Sequence, residues 1–329
     1  MRGQHRRIAT GTIVLLTGAL SSQGHSALRD PERSVFASFP EADGYRVIVR
    51  PVGKEVRAEV QERIPFSIHF NELGNHAVYA ALRGRRPLGL IHARTEEGKW
   101  GLIEIEWALD LDLVIRDFKL HRCRSRYREA VEQSEFAKSL IGRDVRQLSR
   151  LIDDKGRVNP KAGAIPPGGE RLAETVIKSA IKTLILTDSA WRSDIARLRD
   201  LDLGLRAFPE GTIRRLLPPK EAVLRSTSKI RSLRALLVRD DRGRRLGRVL
   251  STQVAFGSGT MEVEWILDTD GRVRQIDAPR GWPDARTRLE FKRLEGRRVE
   301  SVEPPTKETE QIAAELTTIV ATLKEPGVK

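Results

Sequence analysis

Leu88-Gly89-Leu90-Ile91, followed by Ile103-Glu104-Ile105-Glu106-Trp107, returns later in the chain as Leu246-Gly247-Arg248-Val249 followed by Met261-Glu262-Val263-Glu264-Trp265. One shift of 158 residues relates Leu88 to Leu246 and Trp107 to Trp265. Downstream, Leu140-Ile141-Gly142-Arg143-Asp144-Val145 finds its echo in Leu294-Glu295-Gly296-Arg297-Arg298-Val299. Upstream, Phe39-Pro40-Glu41 parallels Phe208-Pro209-Glu210, and Pro166-Pro167 parallels Pro304-Pro305. Landmarks that recur in the same order, with one constant shift through the central strands, are the mark of a duplicated structural unit. The chain therefore divides into residues 27–188 and 189–329, preceded by a short leader.

Each copy has a legible pattern. Ile103, Ile105 and Trp107 alternate with Glu104 and Glu106, the period of a half-buried strand. Val78–Leu82 and Leu88–His92 read as a hairpin joined through Gly84-Arg85-Arg86-Pro87. Strands continue from Leu109 to Leu120 around a turn at Asp110–Asp112, which Asp268-Thr269-Asp270-Gly271 repeats. Glu170–Leu186 carries apolar residues at 172, 173, 176, 177, 180, 181, 184 and 185, an amphipathic helix, and Glu308–Leu323 repeats it. The predicted fold class is α+β: two tandem units, each a small antiparallel sheet flanked by N- and C-terminal helices. On the strands, Trp107 and Trp265 share a face with Ile105 and Val263, which predicts core positions.

The composition narrows function. The 329 residues are 39% hydrophobic and 32% charged, with 59 Lys plus Arg against 45 Asp plus Glu, a net charge of +14. The basic residues are interleaved with acids, and no basic helix face with stacking aromatics stands out, so nucleic acid is not an expected partner. Arg2, Arg6 and Arg7 precede an apolar run from Ile8 to Leu20 and then small residues, the plan of a secretory signal over residues 1–26. The alternative is an uncleaved N-terminal anchor. Either way the expected location is exported: periplasmic, or in the cell envelope with peripheral membrane association.

Cys123 is the single cysteine, so no intrachain disulfide forms; six scattered His give no metal spacing, and no metal is expected. There is no Gly-x-Ser-x-Gly, His-Glu-x-x-His, Walker or Rossmann sequence. That favours an electron-transfer or binding protein over a stand-alone enzyme.

The order of motifs resembles the flavin-mononucleotide (FMN)-binding domain of the peripheral subunits of sodium-pumping quinone reductases, related ferredoxin-linked complexes and nitrous-oxide reductase regulators. The residues carrying the resemblance are Phe39-Pro40-Glu41-Ala42-Asp43 after a first helix and Gly98-Lys99-Trp100-Gly101-Leu102-Ile103 leading into a strand. They continue with Arg124-Ser125-Arg126 ahead of Phe136, Leu140-Ile141-Gly142-Arg143, and Ala162-Gly163-Ala164-Ile165 before the last helix. They span most of residues 30–188, and the second copy matches mainly through the first. In that family a Ser/Thr-Gly-Ala-Thr sequence presents the Thr hydroxyl to which a flavin transferase joins the FMN phosphate. Here Ile165 stands at the hydroxyl position, and the second copy has Ser301-Val302-Glu303-Pro304. Ile forms no phosphoester, so covalent attachment is not expected.

The resemblance implies a non-covalent FMN site formed by Trp100, Gly101, Arg124, Arg126, Gly163, Ala164, Ile165, Gly168 and Gly169 in the first copy. The glycines before Glu170 would bring a phosphate to free helix N–H groups; equally, Pro166-Pro167-Gly168-Gly169 simply starts a helix. Trp100 is the candidate for ring contact, and Arg124, Arg126 and Tyr127 form either a ligand-facing loop or a solvated basic one. The expected function is electron transfer between partner redox proteins. The alternative is a flavin-free scaffold or docking protein of the envelope that retains the fold alone.

Overall fold

The computed structural model describes residues 28–68, 72–159, 164–216, 229–257, 259–298 and 308–322. The leader, Ala162 and Gly163, and the segment 301–304 of the second copy lie outside these residues.

The first unit opens with α1 (Pro31–Ser38), whose start is capped by the Asp30 carboxylate accepting the Arg33 N–H. Its sheet is a five-stranded antiparallel meander of β1 (Gly44–Val52), β2 (Gly74–Arg83), β3 (Arg86–Gly98), β4 (Gly101–Leu109) and β5 (Ile115–Arg122), neighbours in chain order. Helix α2 (Lys54–Glu62) joins β1 to β2. Three short helices, α3 (Arg128–Glu132), α4 (Glu135–Leu140) and α5 (Val145–Ser149), lead to the long α6 (Glu170–Ala190). The second unit repeats the plan: α7 (Arg192–Ala207), then β6 (Thr212–Arg215), β7 (Ile230–Arg239), β8 (Arg245–Phe256), β9 (Gly259–Leu267) and β10 (Val273–Asp277) in a second antiparallel meander. Helices α8 (Ala285–Lys292) and α9 (Glu308–Thr322) follow.

The duplication extends to individual backbone bonds. Phe39 N–H donates to Val35 O at 2.8 Å and Phe208 N–H to Gly204 O at 2.9 Å, ending α1 and α7 alike. Gly142 N–H reaches Ile115 O at 2.8 Å, as Gly296 N–H reaches Val273 O at 2.7 Å. The Gly-Arg pairs seen in the sequence thus tie the segment after the last strand back to the start of β5 and β10.

Trp107 and Trp265 are both fully buried. In the first unit Ile105, Trp107 and Leu109 pack with Val176, Ile177, Ala180, Ile181 and Leu184 along the inner stripe of α6. In the second, Val263, Trp265 and Leu267 pack with Ile312, Leu316 and Ile319 of α9. The half-buried strand inferred from the alternating glutamates needs correction, because the opposite face is covered too. Helix α1 lays Val35, with Phe39 beyond its end, over Tyr79, Ile91 and Ala108. Glu106 is consequently only 2% exposed, and Glu264 under α7 only 9%. Alternation reports which residues share a face, not whether the second face meets water.

Helix α6 continues to Ala190, and Trp191 separates it from α7, so the division drawn after residue 188 falls in the last turn of α6. The two units share α7. Its first half sends Ile195 and Leu198 into the first core, and Leu203 and Phe208 join Leu236, Val238 and Val249 of the second. Charged pairs fix it to the first sheet: Arg50 grips Asp194 with bonds of 2.8 and 2.7 Å, and Arg86 meets Asp202 at 2.7 Å. Bidentate guanidinium–carboxylate geometry sets orientation as well as contact.

Candidate functional site

A cleft of about 1010 Å³ opens at one end of the first unit. Three segments build it. The β3–β4 hairpin contributes Glu96 to Gly101, with Trp100 59% exposed at its tip. The loop after β5 contributes Arg124 to Tyr127. The first four turns of α6 contribute Arg171, Glu174, Thr175, Lys178 and Lys182, whose spacing keeps them on one face of the helix. Of the residues singled out in the sequence, Trp100, Gly101, Arg124, Arg126 and Gly168 converge here. Ala164, Ile165 and Gly169 do not line it: Ala164 is exposed, Ile165 packs against the first core, and Gly169 is buried as the N-cap of α6. Gly163 lies outside the described residues. Cys123 is a free thiol, half-buried against the first core.

The chain enters α6 through a tight arrangement around Gly168. Its φ is +79°, and a Cβ there would lie 2.4 Å from Tyr127 Cζ, so glycine lets Tyr127 pack onto the helix start. Glu170 turns its carboxylate back to accept the Gly168 N–H at 2.9 Å. Its own N–H and that of Gly168 hold the Glu170 carboxyl below the ordinary range. The amides at this helix start already face an anion. A phosphate bound there would have to displace it.

Positive charge in the cleft lies instead on side chains. Lys99, Arg124 and Arg171 make no ion pair among the described residues, and Arg126 donates to Tyr127 Oη at 2.7 Å while lying 4.8 Å from the Tyr127 ring centre. Lys99 sits 4.8 Å over the Trp100 ring. Lys178 is neutralised by Glu174 at 2.5 Å. The exposed Trp100 ring beside unpaired guanidinium groups suits a planar, anionic ligand: stacking holds the plane and the forks of Arg take a phosphate or carboxylate.

Beneath the cleft lies a buried ionic network that periodicity did not reveal. Arg94 bonds Glu72 and Glu96, and Lys182 bonds Glu96 and Glu72. Arg94, Glu96 and Lys182 are all under 8% exposed. Burial would lower the Arg94 pKa, but the neighbouring charges of Glu96 and Glu72 raise it overall. The sequence signal was present: His92, Arg94 and Glu96 continue the inward face of β3, and Lys182 falls between the apolar positions 181 and 184 of α6. His92 is fully buried, and burial together with Arg94 and His76 pushes its pKa well down, so it is neutral.

In the second unit the loop after β10 holds Trp282, whose ring lies 5.2 Å from that of Phe291 and packs against the second core. An aromatic residue thus fills the loop where the first unit presents Arg124 to a cleft. Among the described residues no group of His, Cys, Asp and Glu is arranged to hold a metal ion, and no helix is long and apolar enough to cross a membrane. No protein-family model matches the chain, and no curated protein matches it by sequence.

Proposed function

We propose that this chain is an exported FMN-binding protein that passes electrons between partner redox proteins, holding its flavin non-covalently in the cleft of the first unit. The observation that supports this reading most is convergence: Trp100, Arg124, Arg126 and Gly168, far apart in the chain, line one cleft together with the unpaired Arg171. The isoalloxazine supplies the redox chemistry when bound, and the protein's part is to bind, orient and tune it. Trp100 and Tyr127 would flank the ring, and Arg124, Arg126 and Arg171 would take the phosphate. This differs from anchoring at the α6 N-terminus, which Glu170 already serves. The second unit would be a structural partner, its loop closed by Trp282.

A flavin-free scaffold is the second reading, favoured by the Glu170 carboxylate and the Tyr127–Gly168 contact at the helix start. Titration of the protein with FMN and with riboflavin, followed by flavin absorbance and tryptophan fluorescence, separates the two. FMN binding at least tenfold tighter than riboflavin, and weakened by Arg124→Gln with Arg171→Gln, supports the proposal, since charge-assisted bonds to phosphate each contribute about 1.5–3 kcal/mol. Equal indifference to both compounds favours the scaffold.

A further inference from the structure

The two sheets end differently at matching turns. In the first unit Asp110 holds the β4–β5 turn by accepting the Asp112 and Val114 N–H groups at 2.8 and 2.9 Å. Helix α7 closes over this turn: Arg199 donates to Leu111 O at 2.6 Å, and Leu111 is buried. At the β2–β3 hairpin of the same end Arg83 faces Arg86 across the strands, and Asp202 of α7 takes the Arg86 charge at 2.7 Å. The second unit builds the same turn between β9 and β10, with Asp268 accepting the Asp270 and Arg272 N–H groups at 2.9 and 2.8 Å. Here Thr269, in the place of Leu111, is exposed, as are Asp270 and Arg272.

Arginine collects at this end of the second sheet. Arg272 pairs directly across from Arg298, at the positions that Val114 and Asp144 hold in the first unit. At the β7–β8 hairpin of the same end Arg239 faces Arg245. Like charges placed directly opposite destabilise a sheet, so the Arg272–Arg298 pair is a cost that an anion between them would remove. Arg242, Arg245, Arg272, Arg297 and Arg298 make no ion pair among the described residues, and Arg245 keeps a buried Nε without a hydrogen-bond partner. Of the nearby acids, Asp240 and Asp268 are held by turn N–H groups, and Asp240 also takes Arg244 at 2.7 Å. In the first unit a carboxylate carried by a helix answers the hairpin arginines; in the second no described carboxylate meets Arg272 or Arg298.

We propose that this end of the second sheet docks an acidic helix of a partner protein, which lies across it as α7 lies across the matching end of the first sheet. Carboxylates on one face of that helix meet Arg272 and Arg298 as Asp202 meets Arg86. The planar guanidinium fork pairs with a carboxylate through two bonds, which fixes orientation as well as contact. A second copy of this chain is a poor occupant, since its net charge of +14 repels its own kind. The docking face lies on the second unit and does not depend on what the cleft of the first unit holds.

Fluorescence anisotropy of a labelled, alanine-rich helical peptide of about 20 residues, with glutamates along one face, tests the proposal on the full chain. The peptide binds at low salt, and affinity falls at least tenfold by about 200 mM salt. Arg272→Gln with Arg298→Gln weakens binding at least tenfold, whereas Arg46→Gln with Arg85→Gln removes as much exposed charge from the first unit and leaves it unchanged. The single variant Arg272→Glu, which turns a like-charge pair into an opposite one, raises the urea midpoint. Equal binding of the peptide with glutamines in place of glutamates would overturn the assignment. So would equal loss in the two double variants, a lowered midpoint in Arg272→Glu, or no binding at low salt. Tighter binding to phosphatidylglycerol vesicles or to a DNA duplex than to the peptide would overturn it in favour of a phosphate-bearing surface.

Discussion

The ring of Phe39 stands where a side chain at Gly89 would go: a Cβ on Gly89 would lie 2.5 Å from Phe39 Cε1 and 2.4 Å from Leu109 O. The second unit repeats the relationship, with Phe208 Cζ at 2.6 Å and Leu267 O at 2.3 Å from a Cβ on Gly247. Each phenylalanine ends its helix and presses onto the sheet at a point that admits only glycine. Arg116 stacks 4.7 Å over the Phe39 ring and Arg274 5.6 Å over Phe208, so even the outer face of each ring is covered alike. Gly89→Ala and Gly247→Ala should each destabilise the protein by about 1–3 kcal/mol through overpacking, read as a lower denaturant midpoint. Tolerance at one site with damage at the other would show that only one unit depends on this contact.

The fold was legible in the sequence because repetition and periodicity both report on backbone and core. Leu88-Gly89 and Leu246-Gly247, the two tryptophans and the Gly-Arg pairs mark the same points of the same meander. The site was legible only in part. Trp100, Arg124 and Arg126 were picked out only through the resemblance of their motifs, and Glu96 and Lys182 hid inside apolar stripes, where period arguments expect hydrophobes. Glu106 was misread for a related reason, since strand alternation gives no sign that α1 covers the other face of the sheet.

The matched tryptophans rely on different partners. Trp107 Nε1 donates to Ser179 Oγ of α6 at 3.2 Å, whereas Trp265 Nε1 donates to Thr252 Oγ1 of the adjacent strand β8 at 3.0 Å. Ser179→Ala leaves a buried indole N–H unpaired and should cost about 1–3 kcal/mol in thermal or denaturant unfolding. Because the bond crosses from sheet to helix, hydrogen exchange of α6 amides should rise in that variant. Thr252→Ala should weaken the second sheet and leave α9 protection unchanged relative to the sheet.

The matched glutamates should give opposite pH slopes. Burial pushes Glu106 up, but hydrogen bonds from His121 and Ser34, with the charge of His121, hold it below 4.5 overall. Burial raises Glu264 above 4.5 against the opposing Arg206. Unfolded Glu106 takes up its proton first as pH falls, so its stabilising contribution is present above about 4.5 and is lost below it. Folded Glu264 keeps its proton longer as pH rises, so stability declines with rising pH from 4.5 through its folded value. Urea midpoints measured across this range should therefore fall less steeply below pH 4.5 in Glu106→Gln, where Glu170 and other depressed carboxylates still contribute, and decline less above it in Glu264→Gln, where raised Asp110, Asp117 and Asp200 still contribute. Unaltered slopes in both variants would mean that these carboxylates titrate alike in the folded and unfolded chains.

Covalent flavin attachment offers the sharpest contrast with the resemblance in sequence. By that resemblance Ile165 would take the place of the acceptor hydroxyl, five residues before α6 begins, and wild-type protein coexpressed with a flavin transferase should show no mass increment. Ile165→Thr restores an oxygen on a β-branched side chain. It would not restore the site, for three physical reasons. Residue 165 packs against the first core and lies outside the lining of the cleft. Pro166 and Pro167 remove two N–H donors from the approach to the helix. The Glu170 carboxylate occupies the Gly168 N–H that a phosphate would use. Intact-mass spectrometry should thus find Ile165→Thr folded and unmodified, with a stability loss of about 1–2 kcal/mol from placing a hydroxyl among apolar neighbours. Adding Glu170→Gln to Ile165→Thr removes the competing charge, and modification appearing only in the double variant would identify Glu170 as the block. Full modification of Ile165→Thr alone would instead place the phosphate at the helix start and remove the reason for assigning it to Arg124, Arg126 and Arg171.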